Sequence, residues 1–498
     1  MFDQFFFIGV IILRGILAVT ILIFIFSGFI WYFRITNDGK IIKKRVVEVT
    51  RKNDVRGIIY GLKGHKTAYS PSAEENHVIV FGGTGSGKTY HILKPTLNSW
   101  AKGNDTFFAL DIIERNHNAD KNEKNYSLAD SINCENKLIY EITNANSIPY
   151  NIFFAIDKKT DVAEKIAEIE KICEILICYD KDSIDQSTGN FFAQGSLELL
   201  KSIFIHYYFQ GLDFPEICTL CHEKSSEELI FEVSSSDITR AKMKINRFEK
   251  MIENRQSDFS GIIDKVLSVT EPFLIDECNV LCKTLRRPFS SENCFNPSIL
   301  EQKNVFLVIP DDKIKLYKIA VKLVVQQCLD YFSTRPTNSK TNILFAIDEY
   351  STFNIDLTDA LNKYRKRKVR ILALTQSLMS LDLAVGELKR KSYLDNFQTK
   401  ILLNVAEPDS QLYFAKMIGM CENKRYTKSD NGSETTFTES ENREFPIVPE
   451  YLGRMTKTAI IINKNGWTEV RKYKPENHFQ SLIEVFEVAF DKWLIGRS

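Results

Sequence analysis

Apolar and polar positions along this chain fall into three regimes. At the N-terminus Phe5 to Leu13 is apolar, Arg14-Gly15 interrupts, and Ile16 to Phe33 follows without a charge. As a helix that second run spans about 27 Å, close to the ~30 Å hydrocarbon core of a bilayer, so residues 1–34 predict one transmembrane anchor. The shorter first run cannot cross alone, and Arg14 can snorkel to an interface. No Lys or Arg precedes the apolar run and no Ala-x-Ala-like site closes it, so a cleaved secretion signal fits poorly. A polar stretch, residues 35–76, reads as a basic juxtamembrane linker.

Strand-like apolar runs follow at His77–Phe81, Thr106–Leu110, Asn304–Pro310, Thr341–Ile347, Val369–Thr375, Thr399–Val405 and Thr458–Ile462. Between the second and third of these the period changes. Residues 161–176, 194–208, 238–252 and 259–273 place apolar side chains at helical spacing. This predicts an α/β chain whose sheet is interrupted by an all-α domain over residues 161–288. The nucleotide-binding domain would then run over 77–160 and 289–475, with a C-terminal helix at 476–498. Residues 422–444, rich in Lys, Ser, Thr, Asn and Glu, read as a mobile loop.

Composition narrows the class. A chain of 498 residues has room for about three folded units. It is 44% hydrophobic and 26% charged, as globular proteins are. Its net charge of +1, from 65 basic and 64 acidic side chains, excludes a polycation and an acidic disordered chain, though not a local basic groove. Ten cysteines, mostly in apolar runs, are too few for a disulfide scaffold and suit a reduced, intracellular bulk. Between Arg34 and Lys66 lie ten Lys/Arg against three acids, while Asp3 is the only charged side chain before Phe5. The positive-inside bias then puts the bulk of the chain in the cytoplasm.

The chemistry concentrates at strand ends. Directly after His77–Phe81 comes Gly82-Gly83-Thr84-Gly85-Ser86-Gly87-Lys88-Thr89, a phosphate-loop spacing of G-x-x-x-x-G-K-[ST]. Glycines let backbone N–H groups converge on phosphate oxygens, Lys88 would reach the β/γ-phosphates of ATP, and Thr89 would ligate Mg²⁺. The strand ending in Asp348-Glu349 supplies an acidic partner expected on a neighbouring strand: Asp348 for the magnesium, Glu349 to orient and deprotonate the attacking water. A third strand ends in Gln376, placed to sense the γ-phosphate or that water. The run Lys363-Tyr-Arg365-Lys-Arg367-Lys368 reads either as a solvated helix end or as the source of an arginine finger. Cys218-Thr-Leu-Cys221-His222 matches a c-type haem attachment pattern, and with Cys278 and Cys282 could form a zinc site. Without a further ligand pair at finger spacing, core thiols are the better reading.

Taken in order, these segments resemble the type IV secretion coupling proteins, the TraG/TraD-like ATPases of bacterial conjugation. The resemblance runs from about residue 77 to 475. It rests on the phosphate loop, Phe108-Ala-Leu-Asp111, Tyr150-Asn-Ile-Phe153 in place of the usual Asn-Pro-Leu, and Gly189-Asn-Phe-Phe-Ala-Gln-Gly195. Val305-Phe-Leu-Val-Ile-Pro310, Ile347-Asp-Glu349, Ala360-Leu-Asn-Lys-Tyr-Arg365 and Asn396-Phe-Gln-Thr-Lys-Ile401 follow in family order. It implies a RecA-like P-loop NTPase with an inserted all-α domain, held in the bacterial inner membrane, here by the single pass that residues 1–34 predict, and assembled as a homo-hexamer. Single-stranded DNA with its relaxase, and type IV secretion channel components, are the partners it implies, and the arginine finger falls on Arg365. Family members commonly carry two membrane helices, whereas this sequence shows one. An FtsK/HerA-like DNA pump and a docking receptor for protein substrates are the alternative functions; Glu349 beside Asp348 argues for hydrolysis over passive binding.

Overall fold

In the computed structural model, residues 46–51, 55–74, 76–113, 127–144, 147–177, 189–274, 295–430 and 435–473 are described. From Val47 onward the chain forms one compact unit. The expected anchor, residues 1–34, and the expected C-terminal helix, 476–498, lie outside the described residues, as do Cys278 and Cys282. Among the described residues, no helix is long and apolar enough to cross a membrane.

Twelve strands form one sheet in the order β1-β3-β2-β14-β13-β10-β4-β9-β8-β5-β7-β6. They are β1 Glu48–Thr50, β2 Gly57–Lys63, β3 Lys66–Pro71, β4 Val78–Phe81, β5 Thr106–Ile113, β6 Lys137–Glu141, β7 Asn304–Pro310, β8 Ile343–Ile347, β9 Val369–Thr375, β10 Thr399–Leu402, β13 Thr458–Asn463 and β14 Gly466–Arg471. From β10 to β6 every pairing is parallel. From β10 outward through β13, β14, β2, β3 and β1 every pairing is antiparallel. The parallel strands β4, β7, β8 and β9 are buried at every residue. Continuous apolar runs of this kind are what a sheet covered on both faces requires. Each sheet strand foreseen from the sequence is present, with ends shifted by up to three residues.

Two expectations fail here. Residues 48–50, 57–63 and 66–71, read as part of a linker, are strands of the sheet. Their Lys and Arg content masked the run Ile58-Ile-Tyr60 with Leu62, all buried, and the two-residue turn Gly64-His65, where Gly64 takes φ +65°. Residues 422–444, read as a mobile loop, contain a hairpin of β11 Cys421–Asp430 and β12 Thr435–Glu444 in continuous antiparallel register. Polar composition was the wrong guide there. Thr recurs through the segment beside Tyr426 and Phe437, and Asn431-Gly432 is a turn-favouring dipeptide in the sequence.

Between β6 and β7 the longer elements are helices: α2 Val162–Ile177, α3 Gly189–Phe209, α4 Phe214–Glu223, α5 Ser226–Ser234, α6 Thr239–Asn254 and α7 Gln256–Thr270, following α1 Lys94–Trp100 earlier in the chain. Capping boxes start α4 (Asp213 with Glu216) and α5 (Ser225 with Glu228). The long α3 packs against α2, α6 and α7. Glycines let α3 and α7 approach closely: a Cβ on Gly195 would stand 2.5 Å from Ile262 Cδ1, and one on Gly261 2.7 Å from Phe192 Cε1.

Candidate functional site

Strand register brings the chemistry to one edge. Phe81 of β4 pairs with Thr375 of β9, and Ile347 of β8 with Ala373 of β9. The residues after each strand (Gly82, Gln376 and Asp348) therefore emerge side by side at the carboxyl edge of the sheet, where ligands of open α/β sheets bind. The acidic strand is not the neighbour of β4, as the sequence suggested; β9 lies between them. Sequence separation carries no record of strand order, which is why this was missed.

Gly82 N–H donates to Thr375 O at 3.2 Å, Gly83 N–H to Asn404 O at 2.7 Å, and Ser86 N–H to Gly83 O at 3.1 Å. The first two glycines thus moor the loop to the ends of β9 and β10 and have no amide left for a ligand. Thr84 and Gly85 form the exposed tip. Gly85 and Gly87 take φ +72° and +83°, and a Cβ on Gly87 would meet the His91 ring at 2.4 Å. A π-helical turn, Thr89–Leu93, then leads into α1.

Lys88 Nζ is buried, donates to Gly82 O at 2.9 Å and lies 3.3 Å from Glu349 Oε1. The Thr89 hydroxyl donates to Asp348 Oδ2 at 2.6 Å, and Glu349 N–H to Asp348 Oδ1 at 2.9 Å. Burial pushes the Asp348 carboxyl up to about 6, with the Glu349 charge adding to the shift and the Thr89 hydrogen bond opposing it. Gln376 Nε2 donates to Glu349 Oε2 at 3.3 Å. Lys88, Glu349 and Gln376 therefore form one chain of contacts, a cation and an amide on the two oxygens of one carboxylate.

Arg365 sits in the 3₁₀ turn Arg365–Arg367, just before β9. It is at the opposite end of β9 from Gln376, roughly 20 Å away at strand rise. With burial and Arg370, its charge depresses the buried His77 at the start of β4 to about 3. Within one chain Arg365 does not join the phosphate loop. Its neighbour Arg367 is engaged with the carbonyl of Arg335.

Sequence reasoning passed over two residues of this site. Lys472, just after β14, is buried, and its ammonium donates to Ser86 O at 3.1 Å. Nδ1 of His91, in the first turn after the loop, lies 2.6 Å from Tyr473 O. In the sequence Arg471-Lys472-Tyr473-Lys474 reads as an ordinary basic run, and only the pairing of β14 turns Lys472 inward.

Of the cysteine pattern, Cys218 and Cys221 are buried on α4, and His222 Nε2 is 2.9 Å from Thr270 Oγ1. Among the described residues, no cluster of three or more His, Cys, Asp or Glu could hold a metal ion.

Comparison with known proteins adds the following. The family model described as "Type IV secretory system Conjugative DNA transfer" matches residues 33–476. Among solved structures, the bacterial conjugative coupling protein TrwBdeltaN70, in an unbound form, matches with a TM-score of 0.63 at 15% identity, over 85% of this chain and 92% of that one. Plasmid coupling protein TrwB in complex with ADP and Mg²⁺ matches with a TM-score of 0.62 at 15% identity, over 86% and 92%. TrwB with the non-hydrolysable ATP analogue ADPNP matches with 0.62 at 16%, over 87% and 94%. At such identities the likeness is one of fold. No curated protein sequence matches this one.

Proposed function

This chain belongs to the type IV secretory system conjugative DNA transfer family, and we propose on that footing that it is a membrane-anchored coupling ATPase. It would engage single-stranded DNA with its relaxase at a type IV secretion channel and drive transfer by ATP hydrolysis. The observation that carries the hydrolytic part is the contact chain of Lys88, Glu349 and Gln376 beside the Thr89–Asp348 pair.

TrwB is described with ADP and Mg²⁺ and with an ATP analogue, and the residues here fit such ligands. Gly87 leaves its backbone bare where a side chain would clash, and the Ser86 hydroxyl is buried with no hydrogen-bond partner among the described residues. Thr89 and Asp348 present the hard oxygens that magnesium prefers. When bound, the ion would neutralise charge on the terminal phosphates. The N–H groups of Gly85, Gly87, Lys88 and Thr89 would cradle phosphate, with Gly82 and Gly83 mooring the loop. Lys88 would leave Gly82 O for the β/γ-phosphates. That move frees Glu349 to take a proton from water held by Gln376.

Three features complete the proposal. The helices between β6 and β7 serve as the inserted all-α domain, an assignment supported by the succession of helices α2 to α7 among the described residues. Residues 1–34 anchor the chain by a single pass in the cytoplasmic membrane, supported by the uncharged run Ile16 to Phe33 and the basic flank that follows it. A hexamer is supported by the position of Arg365 at the opposite end of β9 from Gln376, from where it would serve a neighbour's site. Lys88→Ala tests the core of this reading: nucleotide binding and turnover should both vanish while the melting temperature holds. ATPase activity at the wild-type level in that variant would overturn the site.

A further inference from the structure

The segment leaving β14 closes over the back of the phosphate loop, and no step proposed above uses it. Lys472 is 5% exposed. Its ammonium donates to two backbone carbonyls, Ser86 O at 3.1 Å and Met455 O at 3.3 Å. A buried cation bonded only to carbonyls is costly unless something else needs it there. Burial alone pushes its pKa down, to about 8. One residue on, Tyr473 O accepts from His91 Nδ1 when that nitrogen carries the proton. Two successive residues thus grip the loop and the turn behind it.

We propose that Lys472 is a positioning residue for nucleotide binding: by holding the Ser86 carbonyl outward, it turns the Gly87 N–H into the phosphate cradle. The peptide between Ser86 and Gly87 is planar and trans, so its C=O and N–H point in opposite directions. Fixing one aims the other. Gly87, at φ +83°, imposes little preference of its own on that plane. A flipped plane would present a carbonyl oxygen to an anionic ligand, and the clamp from Lys472 opposes that flip. Because it acts on the loop rather than on the γ-phosphate, Lys472 governs affinity for any nucleotide di- or triphosphate and leaves the chemical step alone.

This inference rests on reading the loop as a nucleotide site, so the experiment separates the two. Lys472→Met, in the full chain in nanodiscs, keeps the side chain's apolar stem and removes its donors. Kd for Mg·ADP and for a non-hydrolysable ATP analogue should rise together by about tenfold, the order expected for one charge-assisted hydrogen bond. KM should rise with them, and kcat at saturating ATP should stay within about twofold of wild type. Lys472→Arg, which keeps charge and donors, should restore most of the affinity. An unchanged Kd in Lys472→Met, or a loss confined to kcat, would overturn the role. Lys88→Ala is run alongside. If it binds nucleotide like wild type, the site reading fails; if it loses binding while Lys472→Met keeps it, only the clamp fails.

Discussion

Glu349 takes φ 45° and ψ 47°, a left-handed backbone that glycine adopts freely and other residues at a cost of about 1–2 kcal/mol. Strain retained at a strand end beside a phosphate loop points to the side chain it aims. Glu349→Gln keeps the size and one acceptor oxygen but cannot take a proton. Turnover should fall at least about 100-fold while ADP affinity, read by calorimetry, stays within a few-fold. Normal turnover would mean that Glu349 is not the base and that the water is activated by another group, with Gln376, which can orient it, the first to test. Asp348 gives a pH-dependent prediction. Its folded pKa, about 6, lies above its ordinary value, so the folded state keeps a proton that the unfolded chain has released. The resulting penalty is full above pH 6 and fades as pH falls toward 4. Asp348→Asn should therefore abolish activity yet stabilise the ligand-free protein by about 1–2 kcal/mol at pH 8, after allowing for a lost acceptor. A melting series should show the gain shrinking below pH 6; a gain constant down to pH 4 would mean the carboxyl ionises normally. Lys88, Thr89, Asp348 and Glu349 were legible because their function fixes spacing along the chain. Lys472 was not, because its burial is decided by β14, a strand far from the loop in sequence.

Elements carried more of their signal locally than the order in which they assemble. The parallel strands showed themselves as unbroken apolar runs, and α2 as a helical repeat. The insertion of β9 between β4 and β8, by contrast, is a fact of tertiary pairing that no short window holds. The β2–β3 hairpin matters more than its linker-like sequence suggested. Ile59 N–H donates to Thr96 Oγ1 at 3.0 Å and Gly57 N–H to Ser99 Oγ at 3.1 Å, tying β2 to α1 behind the phosphate loop. On β9, the buried Arg370 grips Pro71 O at 2.7 Å and Asn76 O at 3.0 Å. Burying Ile58, Ile59, Tyr60 and Leu62 contributes about 6–10 kcal/mol, comparable to a domain's whole net stability. A fragment of residues 35–498 should be soluble and cooperative in melting, whereas one of residues 72–498 should aggregate or melt without a transition. A folded 72–498 fragment would show the edge strands to be dispensable.

At the scale of the molecule, the question is whether the site is complete in one chain. Arg365 lies at the far end of β9 from its own Gln376, so the proposed finger role would need an assembly. Without the anchor, subunits lose their confinement to a plane and their effective concentration drops. The 35–498 fragment should be mostly monomeric by sedimentation, with weak turnover that single-stranded DNA stimulates as it assembles. Arg365→Ala should remove the stimulated part and leave ADP binding near normal. Turnover per subunit that stays flat across protein concentration with DNA present would mean that one chain suffices.

The position of β9 has one more consequence. Hydrogen-bonded on both sides and buried along its whole length, it resists compression far better than a loop would. One of its tips ends at Gln376, bonded to Glu349, and the other follows the turn that carries Arg365. In the ring proposed above, with Arg365 at the next subunit's cleft, a small displacement at the first tip would arrive at the second almost undiminished. Firing order would then be relayed around the circle by the stiffness of a single strand, with no separate moving part between one catalytic event and the next.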